Sequence, residues 1–252
     1  MTYIVVTNDD GVQAPGILAL AQAMKEFADI RVAAPSSNQS ASGHKKTLFT
    51  DIPFSHTSLR DDTPALSIGG SPADCIAVSA LGALDWPPDL VVSGINRGAN
   101  MGQDITYSGT VTAALEASIH GVPAIAISLD NHDADDVEDY RVAAQIATEV
   151  VKATLDRKDT IPPFTILNLN IPNVKEVKGI RFVRQGIRIY LDKLAQEKDT
   201  YQIVGDYPSG KLDEVGTDLW AVHNGYASLT PLHLDLTAHH FMADLAAWDI
   251  QL

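Results

Sequence analysis

Residues 3–34 read YIVVTNDDGVQAPGILALAQAMKEFADIRVAA, and this stretch decides the fold. Its first five residues are short, β-branched and apolar on both faces, the pattern of a strand buried inside a parallel sheet. The polar turn Asn8-Asp9-Asp10-Gly11 ends that strand. A helix is predicted from near Pro15, because Ile17, Leu20, Ala21 and Met24 follow the i, i+3, i+4, i+7 spacing of one buried face. Residues 29–34 (DIRVAA) read as a second strand, halted by Pro35. Strand, helix, strand over this span is the unit that closes as a right-handed parallel crossover.

The pattern continues outward. Residues 72–84 are helix-like, with Pro72 near the first turn, where a missing N–H is harmless. Residues 89–93 (DLVVS) and 124–128 read as further buried strands. Between them, residues 110–120 are helical and stop at Gly121. A long amphipathic helix is predicted over about residues 136–155, then a strand over 164–170 (FTILNLN). This alternation predicts an α/β fold with a Rossmann-like, doubly wound and mostly parallel sheet. After about residue 172 the helices between strands become short or absent. We therefore expect one domain over 1–252, with an α/β core over 1–172 and a smaller C-terminal α+β extension, or arm, over 173–252. The tail from 237 to 252 carries Phe241, Met242, Leu245, Trp248 and Ile250, which suggests docking on the body or on another subunit. His233, His239 and His240 read as surface of that tail.

Composition narrows the function. The chain has 252 residues, 45% of them hydrophobic, and 18 Lys+Arg against 32 Asp+Glu give a net charge of −14. That charge repels polyphosphate backbones and acidic lipid, so no nucleic-acid duplex and no membrane surface is expected as partner. The single cysteine, Cys75, offers neither an internal disulfide nor a cysteine zinc site. No apolar run reaches about 18 residues, and the N-terminus lacks the basic region of a signal peptide, so a cytoplasmic setting is the expectation.

Ligands of an open parallel sheet bind beyond the carboxyl ends of its strands, which directs attention to three polar loops. Asp9 and Asp10 are adjacent carboxylates with no basic neighbour nearby in sequence. A hard divalent cation would relieve their repulsion; alternatively, one caps the next helix and the other is solvated. The loop SSNQSASGHKKT (36–47) is dense in hydroxyls and amides, readable as a flexible connector or as a source of neutral metal ligands. His44 within it is a loop histidine or a candidate acid. The loop SGINRGANMGQDITYSGT (93–110) carries Asn96 and Asn100 and enters a helix at Ser108-Gly109-Thr110. Free N–H groups and the helix dipole there suit a phosphate; a plain N-cap by Ser108 is the alternative, and it accounts for one serine but not for the long polar loop. GGSPADC (69–75) is either another anion-binding turn or a structural one. Neither a Walker loop nor a G-x-S-x-G elbow is present.

Together these segments resemble the survival protein SurE family of metal-dependent nucleotidases. The similar stretches are VTNDDGVQAPGI (6–17), AAPSSNQSASGHKKTL (33–48), GGSPADC (69–75), PDLVVSGINRGANMGQDITYSGTVTAALEA (88–117), GVPAIAIS (121–128), LNLNIP (167–172), VRQG (183–186) and GYASLTPLHLDLTAH (225–239). The resemblance implies a phosphatase acting on nucleoside 5′- and 3′-monophosphates and on short polyphosphate, in homodimers or homotetramers. It places the metal ligands on Asp9, Asp10, Ser40 and Asn96, for one divalent ion per subunit, Mg²⁺ or Mn²⁺. Phosphate contacts fall on Ser108, Gly109 and Thr110, with Asn100 facing the same crevice. Asp9 and Asp10 would also be the catalytic pair, the metal polarising a phosphoryl oxygen and acidifying the attacking water. Ser36-Ser37 departs from the acidic-basic pair of many relatives, and residues 192–216 match only loosely. A non-catalytic nucleotide or phosphate sensor on the same fold is the alternative. An aspartyl-nucleophile phosphatase of the haloacid dehalogenase type is disfavoured, because its two aspartates are separated by one residue and these are adjacent.

Overall fold

The computed structural model describes residues 2–250. Its strands are β1 (Tyr3–Thr7), β2 (Asp29–Pro35), β3 (Phe54–Ser58), β4 (Pro64–Ile68), β5 (Leu90–Arg97), β6 (Ala124–Asp130), β7 (Thr165–Pro172), β8 (Ile180–Phe182), β9 (Arg188–Ile189), β10 (Lys193–Glu197), β11 (Thr200–Val204), β12 (Ser209–Gly210) and β13 (Ala227–His233). The helices are α1 (Pro15–Lys25), α2 (Pro72–Val78), α3 (Gly109–Ile119), α4 (Arg141–Leu155), α5 (Asp218–His223) and α6 (His239–Ala246). Nine strands form one sheet in the order β3-β4-β2-β1-β5-β6-β7-β13-β8. From β4 through β7 all neighbours are parallel. Antiparallel pairs occur at β3–β4 and β7–β13, and β8 runs parallel to β13. The fold is thus α/β with a mostly parallel, doubly wound sheet.

Alternating side chains explain why the central strands are apolar throughout. On β1, Ile4 and Val6 join the core under α1 and α4, while Val5 points to the opposite core under α2 and α3. On β5, Leu90 and Val92 face the first core and Val91 the second; on β6, Ile125 and Ile127 face the first, Ala124 and Ala126 the second. Full burial of each such Val, Leu or Ile side chain stabilises by about 1.5–3 kcal/mol. The small residues Ala113, Ala114 and Ala117 let α3 lie close to the sheet. Gly16 does the same for α1, since a Cβ there would come within 2.0 Å of the Ile95 carbonyl oxygen.

Three helices differ from expectation at their ends. The helix expected over 72–84 is α-helical only to Val78, then widens into a π turn over Ser79–Ala83, and Gly82 at φ +118° breaks it. The helix expected from residue 136 begins as a 3₁₀ turn over Val137–Tyr140 before α4, with Asp136 and Asp139 capping each other's backbone N–H groups. α3 begins at Gly109, one residue early, and Gly121 follows it at φ +77°.

Beyond residue 172 the chain returns to the main sheet. β13 inserts between β7 and β8, so part of the extension completes the core sheet. The β10–β11 hairpin stands apart and is exposed along both strands. α6 buries no residue, and Phe241, Met242, Leu245, Trp248 and Ile250 are exposed on or just after it. Residues 251 and 252 of the expected tail lie outside the described residues, as does residue 1. Among the described residues no helix is long and apolar enough to cross a membrane.

Candidate active site

The carboxyl ends of β1, β2, β5 and β6 open on a cleft of about 510 Å³. Asp9 and Asp10 enter it after β1, Ser40 after β2, Asn96 and Asn100 at and after the end of β5, and Ser108 at the start of α3. Those six residues, expected at the site from sequence, line one cleft. Gly109 and Thr110 sit immediately behind Asp9.

Asp9 is only 3% exposed. Its Oδ1 accepts the Thr110 hydroxyl at 2.5 Å and its Oδ2 accepts the Thr110 N–H at 3.1 Å. The start of α3 can approach this closely because residue 109 is glycine: a Cβ there would lie 2.7 Å from Asp9 Cβ and 2.9 Å from Pro72 Cγ. Ser108 caps the helix by accepting the Val111 N–H at 3.0 Å, which leaves its hydroxyl proton available to the cleft. Burial raises the pKa of Asp9, opposed by the bonds from Thr110. Asp10 accepts the Arg97 N–H at 3.1 Å and is pushed up to about 6, first by burial and then by the charge of Asp9. Two crowded acids with raised proton affinity are the electrostatic condition that a bound cation reverses.

The Ser40 loop is fixed. Gln39 N–H donates to the Asp9 carbonyl at 2.7 Å, Ser40 N–H to Asn38 Oδ1 at 2.8 Å, and Gly43 N–H to the Tyr107 carbonyl at 2.9 Å. Further along, Lys46 Nζ donates to Glu116 Oε1 at 2.7 Å, and His44 Nε2 lies 2.9 Å from Glu116 Oε2. Glu116 is 2% exposed, on the face of α3 toward this loop. His44 therefore pairs with Glu116 and stands outside the cleft wall. The 69–75 turn is structural: Ser71 and Asp74 form a reciprocal cap, and Asp74 also accepts the N–H and hydroxyl of Thr47 at 2.7 and 2.8 Å. Cys75 is buried, and burial pushes its thiol pKa up.

In the third loop, Asn96 Nδ2 donates to the Gly98 carbonyl at 2.8 Å, which leaves Oδ1 as the acceptor end of that amide. Asn100 is held from below. Its N–H donates to Asn170 Oδ1 at 2.7 Å, its Nδ2 to Ser128 Oγ at 2.8 Å, and its carbonyl accepts Asn168 Nδ2 at 2.9 Å and Asn170 Nδ2 at 3.0 Å. The L-N-L-N alternation of β7 carries this function: period two places both asparagines on the same face of the strand.

Several cleft residues carry no local sequence signal. Asp104 lies in the 93–110 loop and Asp130 and His132 at and after the end of β6, but Arg188 and Tyr207 arrive from more than 80 residues beyond Asp104. Arg188 Nε bonds Asp104 Oδ2 at 2.5 Å, and its Nη1 donates to the Pro208 carbonyl at 3.3 Å. Buried Asp218 accepts the N–H groups of Gly102 and Gly186 at 2.9 and 2.7 Å and ties the same strands of chain together.

Among the described residues no trio of His, Cys, Asp or Glu gathers as a metal site. The donors here form a different set: the carboxylates of Asp9 and Asp10, the Ser40 hydroxyl and Asn96 Oδ1. All are oxygens carrying two negative charges in total, which fits a hard divalent cation with positions left for water and phosphate.

The model of the family described as survival protein SurE matches residues 4–192. A relative named 5′-nucleotidase SurE from Chloroflexus aggregans is 45% identical, covering 98% of this chain and 99% of its own length. One of the same name from Herpetosiphon aurantiacus is 42% identical over 93% of each chain. The crystal structure of the SurE protein from Aquifex aeolicus superposes with a TM-score of 0.80 at 40% identity, covering 96% of this chain and 98% of that one. With the expected acids, amides and helix start brought together in one cleft, the chain belongs to the survival protein SurE family.

Proposed function

We propose that this protein is a 5′-nucleotidase, a phosphoric monoester hydrolase that releases phosphate from nucleoside monophosphates with a divalent cation, Mg²⁺ or Mn²⁺, held by Asp9, Asp10, Ser40 and Asn96. The observation that carries the reading is the placement of buried Asp9 against the N-terminus of α3, with Asp10 beside it and Ser108 on the same wall. Bound there, such a cation supplies Lewis acidity toward a phosphoryl oxygen and lowers the pKa of water. The chain's own residues do the rest. Thr110 holds the Asp9 carboxylate in one orientation, so that its charge needs no reorganisation during reaction. The Ser108 hydroxyl and the α3 dipole favour the phosphate oxygens as charge builds on them. The Arg97 N–H orients Asp10, and the Glu116 anchor holds the Ser40 loop over the cleft.

The same site admits 3′-monophosphates and short polyphosphate, since its contacts address the phosphoryl group. The exposed apolar residues of α6 and of the β10–β11 hairpin support assembly into a homodimer or homotetramer, with 173–252 as the arm. The composition supports a cytoplasmic setting. Assaying phosphate release from 5′-AMP, 3′-AMP and tripolyphosphate in Mg²⁺ or Mn²⁺ tests the reading. Hydrolysis of 5′-AMP is the expected result; folded protein that releases no phosphate from it under either metal contradicts the reading.

A further inference from the structure

We infer that Tyr207, backed by His132, is the surface on which the nucleobase stacks, and that this aromatic pair separates nucleotides from other phosphate monoesters. The inference rests on the phosphatase reading and adds the part of the substrate beyond the phosphate. The two rings are 4.2 Å apart between centroids and 9° from parallel, and both line the cleft that holds Asp9, Asp10 and Ser108. Tyr207 is 69% exposed although it is a large aromatic side chain on a cleft wall. With His132 over one face, its other face is open to a planar ligand.

The platform is built from three separated segments. His132 follows β6 and packs on the loop after β5 so tightly that a Cβ on Gly98 would lie 2.5 Å from its Cε1. Tyr207 is held beside it through its neighbour Pro208, whose carbonyl accepts from Arg188, which in turn is paired with Asp104. A stacking ring fixed before the ligand arrives loses little freedom on binding. Every base presents a π-face, so such a surface is tolerant of base identity while rejecting esters with no ring. The carboxylate of Asp130 on the same cleft suits hydroxyl and amine donors of a nucleoside, while that of Asp104 is paired with Arg188.

The test compares 5′-AMP with ribose 5-phosphate, which lacks only the base, in the wild type and in Tyr207→Ala, Tyr207→Phe and His132→Ala. Removing one stacking contact should raise KM for 5′-AMP about 10-fold or more with kcat little changed. Ribose 5-phosphate kinetics should not move, Tyr207→Phe should behave as wild type, and His132→Ala should fall between. Calorimetric titration of 5′-AMP and ribose 5-phosphate into the same proteins reads the base contribution without turnover. Loss of affinity for 5′-AMP alone in Tyr207→Ala supports the platform even if no substrate is hydrolysed, in which case the phosphatase reading fails and this one stands. Unchanged 5′-AMP affinity in Tyr207→Ala, or equal losses for both ligands, overturns it.

Discussion

Thr110 grips Asp9 with two donors, its hydroxyl on one carboxylate oxygen and its backbone N–H on the other, across 101 positions of sequence. This clamp joins the first crossover to the helix whose start forms one wall of the cleft. It also fixes how the acid presents its charge, because both oxygens are oriented by one residue of α3.

Thr110→Val keeps the shape and removes the hydroxyl donor. A buried carboxylate that loses a hydrogen bond costs about 1–3 kcal/mol, so chemical denaturation should show a loss of that order. Phosphate release should fall more than stability does, and Thr110→Ser should restore most of both. Activity equal to wild type in the valine variant contradicts the positioning role.

Gly109→Ala places a methyl group 2.7 Å from Asp9 Cβ and 2.9 Å from Pro72 Cγ. Neither neighbour is a flexible chain end, so the start of α3 must move away from Asp9. Overpacking of this kind costs about 1–3 kcal/mol and should be accompanied by weaker Mn²⁺ binding in calorimetry. Unaltered Mn²⁺ affinity would show that the helix start can shift without disturbing the acids.

Glu116 makes the acid stability of the protein measurable. Burial acts to raise its pKa, but the bonds from His44 and Lys46 outweigh that and bring it down from 4.5 to about 2. A carboxyl group depressed in the folded state contributes stability that is fully present above its unfolded pKa. That contribution disappears as pH falls through the folded value. The Tm difference between wild type and Glu116→Gln should therefore be largest above about pH 5 and shrink toward pH 2. A difference that is constant over that interval contradicts the assignment.

Deleting residues 237–252 removes α6 with its exposed Phe241, Met242 and Leu245, and Trp248 just after it. Light scattering should then report a smaller assembly than the full chain forms. An unchanged assembly mass means that the contact between subunits lies elsewhere.

Much of this architecture was legible because each central strand meets a core on both faces. β1 and β5 are β-branched runs for that reason, and the glycines and prolines between them punctuate the helices. The edge strand β3 (FSHTS) escaped, since a strand exposed on nearly every residue has no apolar alternation to read. The β10–β11 hairpin escaped too: Tyr201 and Ile203 alternate with polar residues, but the strands are short and exposed along their length, so no core face marks them. In the site, local chemistry draws attention to the paired acids Asp9 and Asp10, to the hydroxyl-rich loop and to the polar helix entry at Ser108, but Ser40 and Asn96 are singled out as metal ligands only through the family resemblance. Tyr207 and Arg188 were not legible, because what places them in the cleft is the return of a distant segment, pinned by the Arg188–Asp104 pair. Glu116 was hidden too, being one acid on an otherwise small and apolar helix whose partners lie about 70 residues earlier.

The most direct measurement is phosphate release from 5′-AMP by metal-stripped protein, before and after Mg²⁺ or Mn²⁺ is added back, beside Asp9→Asn. No release is expected without metal, with recovery on addition to the wild type and none in Asp9→Asn shown by circular dichroism to be folded. Release that persists after metal removal, or that Asp9→Asn retains, would contradict a cation site built on the paired aspartates.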